Sequence, residues 1–264
     1  MSPTCASKGT DAGASDQMSS APSPPRTATL ERIVQLLAQG HLELAGRLLS
    51  SNAIFLATVE DAELRTLAIY KPRRGETPLW DFPDGSLGLR EVGAYLLSRV
   101  LGWPLIPPIV LRGGPYGVGT VQLYIDALPD VHYFVLRDER RADLLPVALF
   151  DLLTNNADRK AGHLLLDGWG RIWAIDNALT FHAEPKLRTV IWDFAGEPIP
   201  GDYLEDLRAL QTRLRPRSAL SRTLAKLLSR RDLAALRRRL ETLVHEGVFP
   251  LPDPARRQVP WPLV

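Results

Sequence analysis

Two short segments carry the strongest structural signal in this chain: Asn-Asn-Ala-Asp-Arg-Lys at residues 155–160 and Ile-Trp-Ala-Ile-Asp-Asn at residues 172–177. Between them lie three leucines, the turn sequence Asp-Gly-Trp-Gly, and an alternating run that ends at Ile175. This pattern is typical of two antiparallel strands joined by a tight turn. The hairpin is therefore expected to bring together Asp158 and Asp176, which lie 18 positions apart in the sequence.

Two carboxylates placed in this way suit the transfer of a phosphoryl group. One carboxylate can orient an acceptor hydroxyl and receive its proton. The other can hold a divalent cation, which neutralises the phosphate charge as the bond breaks. The spacing thus favours phosphoryl transfer as the chemistry of this part of the chain.

Together with Ala-Leu-Thr-Phe at 178–181, these segments resemble the catalytic and metal-binding segments of the phosphatidylinositol 3-/4-kinase superfamily. The resemblance is closest to its type II phosphatidylinositol 4-kinase and HipA-like branches, and to a small bacterial kinase-like group sometimes called the SCO-type family. It extends from about Leu44 to Pro200. The resemblance implies an α+β, protein-kinase-like fold of two lobes, with a small β-rich N-lobe and a helical C-lobe. It also implies ATP and Mg²⁺ as cofactors.

By this resemblance, Asp158 is the catalytic carboxylate, Arg159 is its electrostatic neighbour, and Asp176 is a metal ligand. The family usually places an Asn, as a second metal ligand, five residues after the catalytic Asp. Here that position is His163. Imidazole is a softer ligand than an amide oxygen and suits Mg²⁺ poorly. His163 is therefore the candidate second ligand, and Mn²⁺ becomes possible beside Mg²⁺.

A kinase also needs a lysine on a strand for the nucleotide phosphates and a glutamate on the next helix to hold that lysine. The β-rich run at 66–72 contains Lys71, one of only five lysines in the chain. A compact ammonium fits between phosphates where a guanidinium may not, so Lys71 is the candidate, although a solvated edge-strand lysine is the alternative. Glu91 is the candidate for the glutamate that holds Lys71. It lies beside the apolar stripe of a predicted helix that Ser86 could cap. The polar stretch at 73–85 is expected to be a solvated loop.

Two further segments of the predicted N-lobe would contact the nucleotide. The run from Gly46 to Val59 predicts a strand-turn-strand whose tip, Ser50-Ser51-Asn52, would cover the phosphates with backbone N–H groups. An ordinary hairpin is an equally good interpretation. The later strand before the C-lobe would form the hinge between the lobes. Its backbone would bond the adenine edge at Gln122, Leu123 and Tyr124.

The C-lobe is predicted to be helical. A mostly apolar helix from Asp143 to Thr154, with Pro146 in its first turn, would deliver the chain to Asn155 and Asn156. Either asparagine could hold the catalytic loop or simply end the helix. Three more helices are predicted at about 202–214, 218–229 and 232–246.

Composition fits one two-lobed domain, since 264 residues with 45% hydrophobic content can bury a sizeable core. We expect a disordered tail at 1–27, an N-lobe at 28–125, a C-lobe at 126–248 and a proline-rich tail at 249–264. The single cysteine, Cys5, excludes internal disulfides and cysteine-based zinc sites. No secretory signal and no apolar run of about 20 residues is present, so a cytoplasmic protein without a transmembrane segment is expected.

A net charge of +2 gives the molecule no strong bias toward nucleic acid. Ten arginines cluster between 208 and 239, and they are expected to lie mainly on helix surfaces. The sequence thus predicts an ATP-dependent phosphotransferase with an unknown acceptor, which could be a protein, a lipid headgroup or a small molecule. Two alternatives are a nucleotide-binding pseudokinase that acts as a scaffold, and AMP transfer on the same fold.

Overall fold

An antiparallel sheet and two helices form the first half of the computed structural model, which describes residues 28–48 and 52–264. The sheet has the strand order β1-β2-β3-β5-β4. The elements are α1 (Leu30–Gln39), β1 (His41–Leu48), β2 (Ile54–Glu60), β3 (Arg65–Pro72), α2 (Leu87–Leu101), β4 (Ile109–Gly114) and β5 (Gly117–Leu123). The predicted tail at 1–27, with Cys5, and the predicted hairpin tip at Ser50-Ser51 lie outside the described residues.

Strand β3 determines where Lys71 points. Its neighbour Tyr70 is fully buried in a small core with Leu36 of α1 and Val121 of β5. Successive side chains of a strand point to opposite faces, so Lys71 points away from that core. Its partner in the register of β5 is Thr120. The face of the sheet that carries Lys71 is therefore the one that meets α2 and the second half of the chain.

Helices dominate the second half, and their apolar side chains form a large core that also includes α2. Leu97 of α2, Leu149 of α4 and Leu236 of α7 are all fully buried in this core. The elements are α3 (Tyr133–Glu139), α4 (Arg141–Thr154), β6 (Leu164–Leu166), β7 (Ile172–Ala174), α5 (Gly201–Arg213), α6 (Ala219–Leu224) and α7 (Arg230–Glu246). The predicted α+β, kinase-like fold of a β-rich N-lobe and a helical C-lobe is confirmed, and so is the β6–β7 hairpin.

Several boundaries differ from the prediction. Strand β1 begins at His41, before the predicted start near Gly46. Helix α4 begins at Arg141, so Pro146 lies in its second turn and not in the first. Helix α3 has only seven residues, too few for a clear apolar period, and was not predicted. These differences lie at the ends of elements or in short elements, where the local pattern carries least information.

The stretch at 249–264, predicted as an extended tail, has no helix or strand but packs against the C-lobe. Phe249 is buried in the main core. The carbonyl of Gln258 accepts a hydrogen bond from the N–H of Thr189 at 3.0 Å. The carbonyl of Leu263 accepts one from the N–H of Ala161 at 2.7 Å. The end of the described chain thus supports the loop that follows Asp158.

A buried ion pair fixes α2 to the second half of the chain. Arg90 Nη2 lies 3.0 Å from Asp232 Oδ2 at the start of α7, and both side chains are buried. Arg90 Nη1 also donates to the carbonyl of Thr180 at 2.6 Å. This second contact reaches the segment that follows Asp176. Within residues 28–48 and 52–264, none of the helices is both long and apolar enough to cross a membrane.

The close approach of β3 and β5 depends on Gly119, and we expect Gly119→Ala to destabilise the protein. An added Cβ would lie 2.4 Å from the carbonyl oxygen of Lys71 and 2.7 Å from Cα of Pro72, so the strands would have to move apart. Overpacking of this kind costs about 1–3 kcal/mol. Gly113 on β4 is the matched control, because an added Cβ there meets nothing within 4 Å. Urea unfolding of both variants measures the difference, and equal stabilities would contradict the prediction.

Candidate active site

A cleft of about 400 Å³ lies between the two halves of the fold. Its walls come from β3, α2, the loop after α4 and the segment after β7. They bring together all of the side chains that were predicted to act in catalysis or phosphate binding, with the exception of Arg159. The titratable groups along the cleft include Lys71, Glu91, Asp158, Lys160, His163 and Asp176.

Lys71 and Glu91 form the predicted ion pair across the N-lobe. Lys71 Nζ lies 2.6 Å from Glu91 Oε1, and the other carboxylate oxygen accepts from Thr120 Oγ1 at 3.3 Å. Burial disfavours the charged form of Lys71, but the carboxylates of Glu91 and Asp176 outweigh it and raise the pKa of the ammonium. Burial also raises the pKa of Glu91, while Lys71 acts in the opposite direction. The result is a fixed positive charge at the edge of the cleft.

Asp176 stands two residues after the end of β7, in the left-handed backbone region, with φ 54°. An Asp tolerates this conformation better than most residues. One carboxylate oxygen lies 3.5 Å from Lys71 Nζ, and the other lies 3.5 Å from His163 Nε2. The charge of Lys71 lowers the pKa of Asp176 against the effect of burial, so the group is a carboxylate near neutral pH. An ionised oxygen ligand is what a hard cation requires.

The loop that carries Asp158 is held by two asparagines. Asn155 ends α4 in the left-handed region, and its Oδ1 accepts from the N–H of Lys186 at 2.9 Å. Asn156 is fully buried, and its Oδ1 accepts from the N–H of Asp158 at 3.0 Å. Asn155 thus ends the helix and holds the following segment, while Asn156 shapes the loop itself.

Asp158 has the electrostatic environment of a proton acceptor. Burial raises the pKa of its carboxyl group, and the nearby charge of Lys160 partly opposes this effect. Lys160 Nζ lies 3.4 Å from Asp158 Oδ2. A carboxylate with a raised pKa is a better base than an ordinary surface aspartate.

Arg159 has a different position from the one that the sequence suggested. Its side chain is fully buried and forms an ion pair with Asp151 of α4, with Nη2 and Oδ1 3.0 Å apart. It also donates to the carbonyl of Ile175 at 2.7 Å and to Asn177 Oδ1 at 2.6 Å. The assignment of Arg159 as a catalytic residue is therefore corrected, because the guanidinium is buried away from any substrate. Arg159 is a positioning residue that ties the Asp158 loop to the segment around Asp176.

His163 is also placed differently from the metal ligand that was predicted. Its Nδ1 accepts a hydrogen bond from the N–H of Lys160 at 3.3 Å, so the proton of the neutral ring lies on Nε2, which faces Asp176. Burial lowers the pKa of His163 to about 4, although Asp176 acts in the opposite direction. Neither ring nitrogen offers a free lone pair to the cleft. We therefore revise the assignment: in this tautomer His163 lies beside the carboxylate of Asp176 and offers no lone pair to a metal.

The predicted adenine contacts at Gln122, Leu123 and Tyr124 are not part of the cleft walls. The N–H of Leu123 donates to Pro108 at 2.8 Å, and the N–H of Tyr124 donates to Leu67 at 3.1 Å. Gln122 pairs within the sheet, on both sides of β5. These two N–H groups already have partners, so they are not free to bind an adenine edge. Gln122, Leu123 and Tyr124 are thus not confirmed as adenine contacts, and the hinge after β5 stays a prediction.

Two residues of the site were missed by the sequence reasoning. Glu76, in the stretch expected to be a solvated loop, caps α2 by accepting from the N–H of Gly88 at 3.1 Å and of Leu87 at 3.4 Å. Ser86, the predicted cap, makes no such side-chain bond. Lys160 lies in the cleft beside Asp158, and the scarcity of lysine that pointed to Lys71 applies equally to it. No local signal identified Glu76, since its partners come 11 and 12 positions later.

The carboxylates of the cleft suit a metal ion that also binds phosphate. In the described part of the chain, no group of three or more His, Cys, Asp or Glu side chains forms a metal cage of its own. Mg²⁺ in nucleotide sites usually takes one or two carboxylates, with phosphate oxygens and water completing its coordination. Asp176 is ionised and accessible, so it fits this pattern without a third protein ligand.

Because Arg159 is a buried structural cation, we expect Arg159→Met to destabilise the protein by about 3–5 kcal/mol, the usual effect of removing one partner of a buried pair. The loss arises because the carboxylate of Asp151 keeps only its neutral partners. Arg65→Met is the control, since the Arg65–Glu60 pair is exposed and such pairs contribute little. Urea unfolding compares the two, and similar losses in both variants would remove Arg159 from this role.

The ring of His163 should be neutral at pH 6 and should carry its proton on Nε2. Nitrogen-15 NMR of the imidazole distinguishes this tautomer from the other tautomer and from the imidazolium. The His163→Gln variant assigns the resonance. A protonated ring at pH 6, or a proton on Nδ1, would contradict the assigned tautomer of His163.

No protein-family model matches the chain. Among proteins of known sequence, it is 39% identical to Protein Rv2133c of Mycobacterium tuberculosis, in an alignment that spans 86% of this chain and 94% of the other. Three solved structures show a looser likeness, at TM-scores below 0.5, so the fold assignment rests on the elements and contacts described above.

The first solved structure is hydra Fam20 with sugar, with a TM-score of 0.49, 15% identity and coverage of 82% of this chain and 88% of that one. The second is the golgi casein kinase, with a TM-score of 0.47, 14% identity and coverage of 84% and 78%. The third is the Helicobacter pylori proinflammatory kinase CtkA, with a TM-score of 0.46, 10% identity and coverage of 80% and 94%. The sequence relationship is the stronger finding, and by it the chain belongs to the family of the mycobacterial Protein Rv2133c.

Proposed function

We propose that this chain is an ATP-dependent phosphotransferase of the phosphatidylinositol 3-/4-kinase-like type, which transfers a phosphoryl group to an alcohol. The observation that carries the proposal is the contact of Lys71 with both Glu91 and Asp176 in the cleft that also contains Asp158. Lys71 and Asp176 are 105 positions apart in the chain. A fold that brings an ammonium and two carboxylates together over such a separation supports a charged, phosphate-bearing ligand.

Lys71 would bind the nucleotide phosphates. Its ammonium has three N–H donors, and Glu91 takes the shortest of its contacts. The ion pair holds the side chain in one orientation before any ligand arrives, so little conformational entropy is lost on binding. Lys160, on the other side of Asp158, would add a second positive charge near the transferred group.

Asp158 would orient the acceptor hydroxyl and receive its proton. Its raised pKa brings it closer to the pH at which proton transfer is efficient. Asn156 fixes the backbone at Asp158, and Arg159 fixes the loop to α4. These contacts hold the carboxylate in place without blocking its access to the cleft.

Asp176 would hold Mg²⁺ or Mn²⁺ together with the phosphate oxygens. When bound, such an ion would neutralise part of the negative charge on the phosphates. His163 lies beside this carboxylate, with its Nε2 3.5 Å from Asp176 Oδ2. Since the neutral ring offers no lone pair to a metal here, the choice between the two metals is left to Asp176, the phosphates and water.

A nucleotide-binding scaffold is the second candidate. His163 favours it, because this residue stands where the resembled family usually has a second metal ligand and its Nδ1 is already bonded to the N–H of Lys160. The same fold could also transfer AMP. Incubation with ATP labelled at the γ- or the α-phosphate separates these possibilities: γ-label on the acceptor supports the proposal, α-label indicates AMP transfer, and neither label indicates a scaffold.

The substitution Asp158→Asn should lower turnover by a factor of about 10²–10⁴, which is the usual contribution of a positioned acid or base. ATP affinity should stay nearly unchanged, because Asp158 would contact the nucleophile more than the nucleotide. Turnover is measured as ATP consumption and autophosphorylation, with Mg²⁺ and then with Mn²⁺, and affinity by calorimetry.

Asp138→Asn, a change at an exposed carboxylate of α3, is the matched control and should leave both quantities unaltered. Transfer that survives Asp158→Asn would place the catalytic residue elsewhere. Absence of transfer in the wild-type protein with either metal would favour the scaffold.

A further inference from the structure

A separate cavity of about 590 Å³ lies between the end of α4, the segment at 183–187 and α7. It shares no lining residue with the cleft described above. Much of its wall is apolar, with Leu152, Leu187 and Leu243 among the lining side chains. None of its lining residues in the described part of the chain is an Asp or a Glu. Its size and apolar walls are those of a site for a small molecule.

Arg239 of α7 lines this cavity with an incompletely satisfied guanidinium. Its Nε donates to the carbonyl of Leu153 at 2.9 Å, and its Nη1 donates to the carbonyl of His182 at 3.1 Å. Nη2 is buried and has no hydrogen-bond partner among residues 28–48 and 52–264. Burial lowers the pKa of this arginine to about 10, while the more distant charge of Asp232 acts in the opposite direction.

Arg239 is only partly buried as a residue, but a guanidinium with two neutral carbonyl partners and a buried, unpaired Nη2 is unusual, because buried charges are normally paired. An orphaned N–H group in a folded protein calls for an acceptor, such as an ion or a ligand. Arg238, the exposed neighbour on α7, also lines the cavity and adds a second positive charge. The cavity therefore combines apolar walls, two guanidinium groups and no negative charge.

We propose that this cavity binds a small amphiphilic anion, a carboxylate or phosphate carried on a short apolar chain. The anionic group would lie against Arg238 and Arg239, and the apolar chain against Leu152, Leu187 and Leu243. This site does not depend on the phosphotransferase proposal. The cavity also adjoins the proposed catalytic loop. Arg239 donates to the carbonyl of Leu153, in the last turn of α4, and to that of His182, in the segment after Asp176.

The test is calorimetric titration of the whole chain, without nucleotide, with octanoate, octyl phosphate and octanol below their aggregation concentrations. One anion or both should bind at a single site, and octanol, which lacks the charge, should bind at least about tenfold more weakly. The stronger of the two anions identifies the headgroup. Equal binding of octanol and the anions, or no binding of either anion, would overturn the proposal.

Two exposed arginines of α7 give a matched pair of variants. Arg238→Gln should weaken anion binding by about tenfold, since it removes one charged hydrogen-bond donor. Arg231→Gln removes the same charge outside the cavity and should leave binding unchanged. If both variants lose anion affinity equally, the effect of charge is nonspecific and the assignment of the site is overturned.

Thr242→Phe fills the cavity from an exposed helix position and keeps both arginines. It should abolish binding of the anions while leaving the thermal unfolding midpoint of the free protein nearly unchanged. This variant tests the site without removing either guanidinium. Anion binding that persists in Thr242→Phe would contradict the proposal.

Discussion

The guanidinium of Arg159 is the interaction on which the arrangement of the site depends. It joins three parts of the chain: Asp151 in α4, the carbonyl of Ile175, and Asn177 beyond Asp176. The loop with Asp158 and the segment with Asp176 are thereby held at a fixed separation. Asp151 also accepts from Asn156 and Thr189. The Asp151–Arg159 pair therefore joins four segments: α4, the loop at 156–159, the segment at 175–177 and the segment with Thr189. Such a network is rigid only when every member is paired, because the low dielectric makes each unpaired group costly.

Much of the fold was predictable because its signals are local. The β6–β7 hairpin followed from a turn sequence between two short apolar runs. The Lys71–Glu91 pair could be predicted because each residue lies on a regular element, whose period determines the direction of the side chain. The kinase-like order of elements then followed from the resemblance of two motifs.

The details that failed depend on partners distant in sequence. Arg159 stands next to Asp158, and adjacency suggested a shared role, yet consecutive residues of a loop commonly point in different directions. Glu76 caps a helix that starts 11 positions later, and no local pattern specifies that meeting. The tautomer of His163 is set by the N–H of Lys160, through a turn that forms only in the fold. The carbonyls that bind the N–H groups of Leu123 and Tyr124 belong to Pro108 and Leu67, which are likewise distant in sequence.

Helix α2 is held from two directions by consecutive residues. Glu91 is bound to the sheet through Lys71, and Arg90 is bound to α7 through Asp232. Neither the rotation of α2 nor its outward movement is possible without separating charges inside the protein, which is expensive. An on–off switch that works by swinging this helix is therefore poorly suited to this molecule. The Lys71–Glu91 pair is therefore already formed without a ligand, and the proposed transfer would need no activating movement of α2.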